Sequence, residues 1–137
     1  MTSTTMHEET IKVLINVCYG GFALSPETIK LYNERCSPEK KISLPSEGMF
    51  ACRDDPILIQ IFEEIGSARF GAERGTKIIA VEIPKKYEDF YRIKEYDGKE
   101  TLSVDQNIYN LWRVKQIAFD ENKTAEEKIN EIKNILL

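Results

Sequence analysis

The sequence predicts an α+β fold: a single domain in which two to three helices pack on a mixed or antiparallel sheet, with the domain part of an oligomer. Three observations predict it. The chain has 137 residues, which suits one domain with a real core. Apolar runs at 11–17 and 76–83 have strand character, whereas Ser25, Asp55 and Thr124 each open a stretch with helical caps and spacing. Asp97-Gly98 lies between two strand-like runs, the strongest short-range signal of an antiparallel hairpin.

Each element follows from local chemistry. Residues 1–9 are polar and predict a disordered leader. Ile11-Lys12-Val13-Leu14-Ile15-Asn16-Val17 is β-branched, and its density of apolar residues predicts burial on both faces. Ser25 reads as an N-cap and Pro26 as the first helical residue, with Glu27 beside the positive helix end. That helix is expected to run to about Ser37, with Ile29, Tyr32 and Cys36 inward.

Residues 37–53 hold Pro38, Pro45 and Gly48 and read as a loop, long for a compact domain. Asp55-Pro56 repeats the cap-and-proline start, and Leu58, Ile61, Phe62 and Ile65 give the i, i+3, i+4, i+7 face of a core helix. Gly66 is its predicted stop. Thr76 to Ile83 is the second strand, closed by Pro84; Phe90 to Tyr96 and Lys99 to Val104 form the hairpin. After a linker, Thr124-Ala125-Glu126-Glu127 is a capping box, and Ile129, Ile132 and Leu136 line a C-terminal helix. The expected division is a leader at 1–9, a ligand-binding domain at 10–118, and at 119–137 a terminal helix available for oligomerisation.

Composition excludes several classes. The net charge of −4 gives no bulk attraction to nucleic acid polymers or to an anionic membrane. No apolar run approaches the ~20 residues of a membrane helix, and the polar start is not a signal peptide. Three cysteines, Cys18, Cys36 and Cys52, lack CxxC spacing; they predict a reducing cytoplasm and neither disulfides nor zinc. The one histidine, His7, lies in the leader, so no Ser-His or Cys-His pair is available. No GxSxG, P-loop or metal-ligand spacing occurs. The expectation is a protein that is not an enzyme, with no catalytic residue, metal or cofactor.

Binding chemistry is better represented. In Cys18-Tyr19-Gly20-Gly21-Phe22-Ala23-Leu24-Ser25 a glycine pair is flanked by aromatics and opens onto a helix N-terminus. That suits a flat anionic ring stacked on Phe22, with the anion at free N–H groups near Ser25. The same residues also fit a tight turn with Phe22 in the core. Period-two alternation puts Phe90, Arg92, Lys94 and Tyr96 on one strand face and Tyr91 and Ile93 on the core side. Arg53 and Arg113 suit a pyrophosphate, and Asp54 suits ribose hydroxyls or helix capping. Arg69, Gly71 and Arg74, in a glycine-punctuated segment, suggest a second anion site or a solvated loop.

Four blocks together resemble a known family: Cys18-Tyr19-Gly20-Gly21-Phe22-Ala23-Leu24-Ser25, Arg53-Asp54-Asp55-Pro56, Val81-Glu82-Ile83-Pro84 and Glu95-Tyr96-Asp97-Gly98. In their order and spacing, from about Ile11 to Trp112, the chain resembles the type-one Thoeris anti-defence proteins of phages and prophages. The resemblance implies a sponge in the host cytoplasm. It would bind cyclic ADP-ribose isomers without cutting them, near subunit interfaces of an even-numbered oligomer such as a hexamer. It also implies cyclic oligonucleotides as ligands at separate sites. Carried onto this chain, it points to the turn at Tyr19 to Ser25 and the corner at Arg53-Asp54-Asp55. The tail after about Phe119 matches no block. Two other readings stay open: a nucleotide-cleaving enzyme using Asp54, Asp55 or Glu82, and a protein-binding inhibitor without a small ligand.

Overall fold

In the computed structural model, which describes residues 8–72 and 76–137, the two long apolar runs form one antiparallel ribbon. Strand β1 (Thr10–Asn16) pairs with β2 (Ile78–Pro84), from Thr10 opposite Pro84 to Asn16 opposite Ile78. Both faces of this ribbon are covered, as its apolar density requires. Leu14, Ile78 and Ala80 pack with the helices, while Val13, Ile15 and Ile83 pack with Tyr91, Ile93, Leu102 and Val104 of the hairpin.

Helix α1 spans Pro26–Arg35, shorter than the expected end at Ser37, and the Ser25 hydroxyl accepts from the Thr28 N–H at 3.1 Å. Its most buried side chains are Thr28 and Tyr32; Ile29 and Cys36 are half-buried. The segment at 37–53 is not bare loop. It contains two 3-10 turns, Pro38–Lys40 and Pro45–Phe50, and Asn33 holds it by bonding both the N–H and the carbonyl of Ile42 at 2.8 Å. Helix α2 spans Pro56–Ile65 under an Asp55 cap and ends at Gly66, whose φ of 84° is the left-handed conformation a glycine stop supplies. A short helix, α3 (Ser67–Phe70), follows.

Strands β3 (Tyr91–Tyr96) and β4 (Lys99–Val104) form the expected hairpin. Asp97 and Gly98 have φ of 50° and 88°, the mirror-image turn that Asp-Gly favours. Helix α4 (Gln106–Ala118) starts where Asp105 accepts from the Ile108 N–H at 3.0 Å. Helix α5 (Ala125–Leu136) carries the complete Thr124–Glu127 capping box and packs on α4.

The class is α+β, with antiparallel pairing and a single domain, but two expectations need correction. The four strands make two separate two-stranded sheets. The described residues hold five helices rather than two to three: α3 was not expected, and α4 replaces the expected linker. The expected boundary at 118 falls at the end of α4, and 119–137 holds α5. Glu8 and Glu9, expected in the leader, are held in place: the Lys85 N–H donates to the Glu9 carbonyl at 2.8 Å, and Glu8 pairs with Lys86 at 3.4 Å. Residues 1–7, including His7, lie outside the described residues.

Candidate functional site

Three of the four sequence blocks meet at one end of the ribbon. The fully buried Asn16 joins two of them: its Nδ2 donates to the carbonyls of Cys18 (2.7 Å) and Gly98 (3.0 Å), while its Oδ1 accepts from the Lys77 N–H (2.7 Å). Gly98 sits so tightly on the turn that a Cβ there would overlap the backbone at Tyr19 and Gly21. Gly21, at φ 85°, is the residue of the pair that takes the left-handed conformation; Gly20 is exposed. The hairpin tip and the glycine turn are therefore one rigid unit.

Beneath this unit lies a buried ion pair. Arg53 closes on Glu100 with both prongs, Nη1 to Oε1 at 2.6 Å and Nη2 to Oε2 at 2.8 Å. Its Cζ stands 3.5 Å from the centroid of the Phe22 ring. Glu100 Oε1 also accepts from the Asn16 N–H at 2.8 Å. Phe22 is only 6% exposed, so the core alternative holds for this ring, and a base stacking on it would have to displace the guanidinium. A pyrophosphate on Arg53 would likewise compete with Glu100.

The neighbouring acids are engaged too. Asp54 accepts from the Cys52 thiol at 2.8 Å and from the Tyr91 hydroxyl; burial first, then Asp54, raises the Tyr91 pKa. Asp55 accepts from the Ile57 N–H and from the Tyr32 hydroxyl, both at 2.8 Å, and burial followed by this bond raises the Tyr32 pKa. Burial and the bond to Asp54 also push the Cys52 thiol up, away from thiolate character. An open cleft of about 440 Å³ lies here, lined by Tyr32, Lys40, Cys52 and Asp55 among others.

The outer hairpin face is different. Arg92, Lys94 and Tyr96 point outward from β3, and Lys99 lies opposite Tyr96 on β4. Tyr91 and Ile93 face the core, as alternation predicts. Tyr96 is 80% exposed and Tyr19 is 61% exposed, with Lys99 Nζ 5.6 Å from the Tyr19 ring centroid. Two exposed rings and a cation thus share one tip, and Arg92 and Lys94 continue the positive face; Arg92 stands 3.7 Å from Asp105. Sequence reasoning did not place Lys99 in the site. The signal was present, since a two-residue turn sets it opposite Tyr96.

Phe90 does not belong to this face, which corrects the expectation. It precedes β3 and packs against Tyr109 (5.4 Å between centroids) and Trp112 (5.6 Å) of α4. Arg113 lies 5.9 Å from the Tyr109 ring of its own helix.

Ser25, Arg69 and Gly71 come together around the start of α1, although the sequence reading assigned them to two sites. The Ser25 hydroxyl donates to the Arg69 carbonyl at 2.6 Å, and the Arg69 side chain pairs with Glu27, its Nε at 3.0 Å. That pairing lowers the Glu27 pKa. Arg74 lies outside the described residues. Among the described residues no group of His, Cys, Asp and Glu is placed to hold a metal ion, and no helix is long and apolar enough to cross a membrane. The chain matches no family model, no curated protein and no solved structure.

Proposed function

We propose that this protein binds a cyclic ADP-ribose isomer and sequesters it intact, as a sponge for the Thoeris immune signal. One observation carries the reading: two exposed rings, Tyr19 and Tyr96, share with Lys99 a tip held by Asn16 and Gly98. The ligand offers a flat base and a pyrophosphate. The base stacks on a tyrosine, and the phosphates lie along Lys99, Lys94 and Arg92. Because the chain is acidic overall, this local positive face does the attracting. A rigid tip lowers the ordering cost of binding, which tight sequestration demands.

This reading moves the ligand from the inner pair, Phe22 and Arg53, to the outer face of the same unit. A cyclic oligonucleotide at Arg69 would be a second site, opened by releasing Glu27. The test is direct. The protein is incubated with a labelled cyclic ADP-ribose isomer, separated from free ligand, and heat-denatured. Recovery of the intact cyclic nucleotide, able to activate its effector, is the expected result. Linear ADP-ribose formed in proportion to time and protein would replace the sponge with an enzyme. No retained nucleotide would favour the protein-binding inhibitor.

A further inference from the structure

An open groove of about 310 Å³ lies on the hairpin beyond the tip, lined by Arg92 and Lys94 of β3, Ser103 and Val104 of β4, and Asp105 and Asn107 at the start of α4. Its polar groups are mixed in kind. Arg92 donates, and Oδ2 of Asp105, 3.7 Å away, accepts, while Oδ1 is held by the Ile108 N–H. The Ser103 hydroxyl and the Asn107 amide are exposed and make no hydrogen bond among the described residues, so both are available to donate or accept. Gln106 is a fixed wall of the groove, since its amide donates to Asn110 at 3.2 Å and accepts from the Tyr87 hydroxyl at 2.8 Å. Such a set suits a neutral polyol better than an anion. Neighbouring hydroxyls bond a carboxylate and an amide together, whereas a phosphate here would be repelled by Asp105.

The position of the groove says which sugar. Tyr96, Lys94 and Arg92 stand at every second residue on one face of β3, with Lys99, Thr101 and Ser103 opposite them on β4. At roughly 3.3 Å per residue, the row of Arg92 and Ser103 lies about 13 Å from the row of Tyr96 and Lys99. With a base stacked on Tyr96, the middle row, Lys94 beside Thr101, meets a diphosphate, and the groove meets the ribose beyond it. An extended ADP-ribose has this order and this reach. A nucleotide whose second ribose is closed back onto its adenosine half is too short to occupy both ends.

We infer that the groove is a ribose subsite, through which the same face also binds open-chain ADP-ribose. The inference rests on the proposed stacking of a base at Tyr96. Asp105 Oδ2 accepts from one hydroxyl of the distal ribose, and Ser103 and Asn107 bond its neighbour.

Calorimetric titration of the full chain with AMP, ADP and ADP-ribose builds the ligand up one group at a time. ADP-ribose should bind about tenfold more tightly than ADP, the effect of two or three hydrogen bonds. It carries less negative charge than ADP, so attraction to the lysines acts in the opposite direction. Ser103→Ala with Asn107→Ala should bring ADP-ribose down to the affinity of ADP. The circular dichroism spectrum should not change, as both side chains are exposed. Equal binding of ADP and ADP-ribose, with both dependent on Tyr96, overturns the subsite and leaves the proposed function standing. A gain that survives the double variant overturns it too. Failure of all three nucleotides to bind also overturns it, and a cyclic ADP-ribose isomer then separates the two readings: it binds if only the subsite is wrong.

Discussion

The guanidinium of Arg53 stands over the Phe22 ring, its Cζ 3.5 Å from the centroid, so a cation fills the position that a stacked base would take. Two long-range pairings follow from this. Phe22 is sealed into the core, and Glu100 is drawn in from the hairpin to satisfy both prongs of the guanidinium.

Removing one member of this ion pair should cost more than the other contacts near it. Glu100 is 6% exposed, and its loss removes the bidentate partner of the Arg53 guanidinium and the acceptor of the Asn16 N–H. Glu100→Ala should lower the unfolding free energy by about 3–5 kcal/mol, measured by urea denaturation. A loss below about 1 kcal/mol, the value of an exposed pair, would show that the pair is solvated.

Two glycines with nearly equal φ should respond unequally to alanine. Gly66, at 84°, has open space where a Cβ would stand; Gly98, at 88°, has the Tyr19 and Gly21 backbone there. Gly66→Ala should cost about 1–3 kcal/mol, the conformational penalty alone. Gly98→Ala should cost clearly more and loosen the tip, read as faster amide exchange at Tyr19 to Gly21. Equal losses would disprove the close approach.

Alkali should destabilise the fold through Tyr32 and Tyr91. Both pKa values are raised by burial and by an aspartate partner, so the folded state favours the protonated phenol. This stabilisation is complete below the unfolded tyrosine value of about 10, and it is lost as pH rises above that value. The double variant Tyr32→Phe, Tyr91→Phe should therefore lose less stability than the native chain between about pH 9 and pH 11. An unchanged pH dependence would assign the alkaline loss to other groups.

The outer and inner rings should separate binding from folding. Tyr96→Ala, at an exposed position, should weaken nucleotide binding about tenfold, since base stacking is worth roughly 1–3 kcal/mol. Its thermal midpoint should stay near the native value. Phe22→Ala should do the reverse in stability, losing about 3–5 kcal/mol. Calorimetric titration with a cyclic ADP-ribose isomer beside a melting curve checks both. Normal binding by Tyr96→Ala would remove this ring from the site.

What was legible in the sequence was what neighbours in the chain decide. Ser25, Asp55 and Thr124 cap helices, and Asp97-Gly98 turns the hairpin, because each acts within four residues. Helix α4 was missed for the opposite reason. Ile108, Leu111 and Phe119 are exposed apolar residues outside its buried side and blur the one-faced pattern by which a helix is read. The candidate site was legible in only part of its residues, Tyr19, Arg92 and Tyr96, and not in Lys99. Arg53 and Glu100 are 47 positions apart, and only their meeting decides that Phe22 is core and that Tyr96 and Lys99 are left outside.

The Asn16–Glu100 bond has a further consequence. On the side of β1 away from β2, the Leu14 N–H is taken by the Arg53 carbonyl at 2.8 Å and the Asn16 N–H by a side-chain carboxylate. Neither bond is a strand-ladder pairing, so these two donors give another chain no template at that end of β1. Glu100 thus guards against intermolecular β-pairing as well as anchoring Arg53. A chain without that carboxylate would fail as fibrils seeded at β1, whereas one weakened elsewhere in the core would fail as amorphous precipitate.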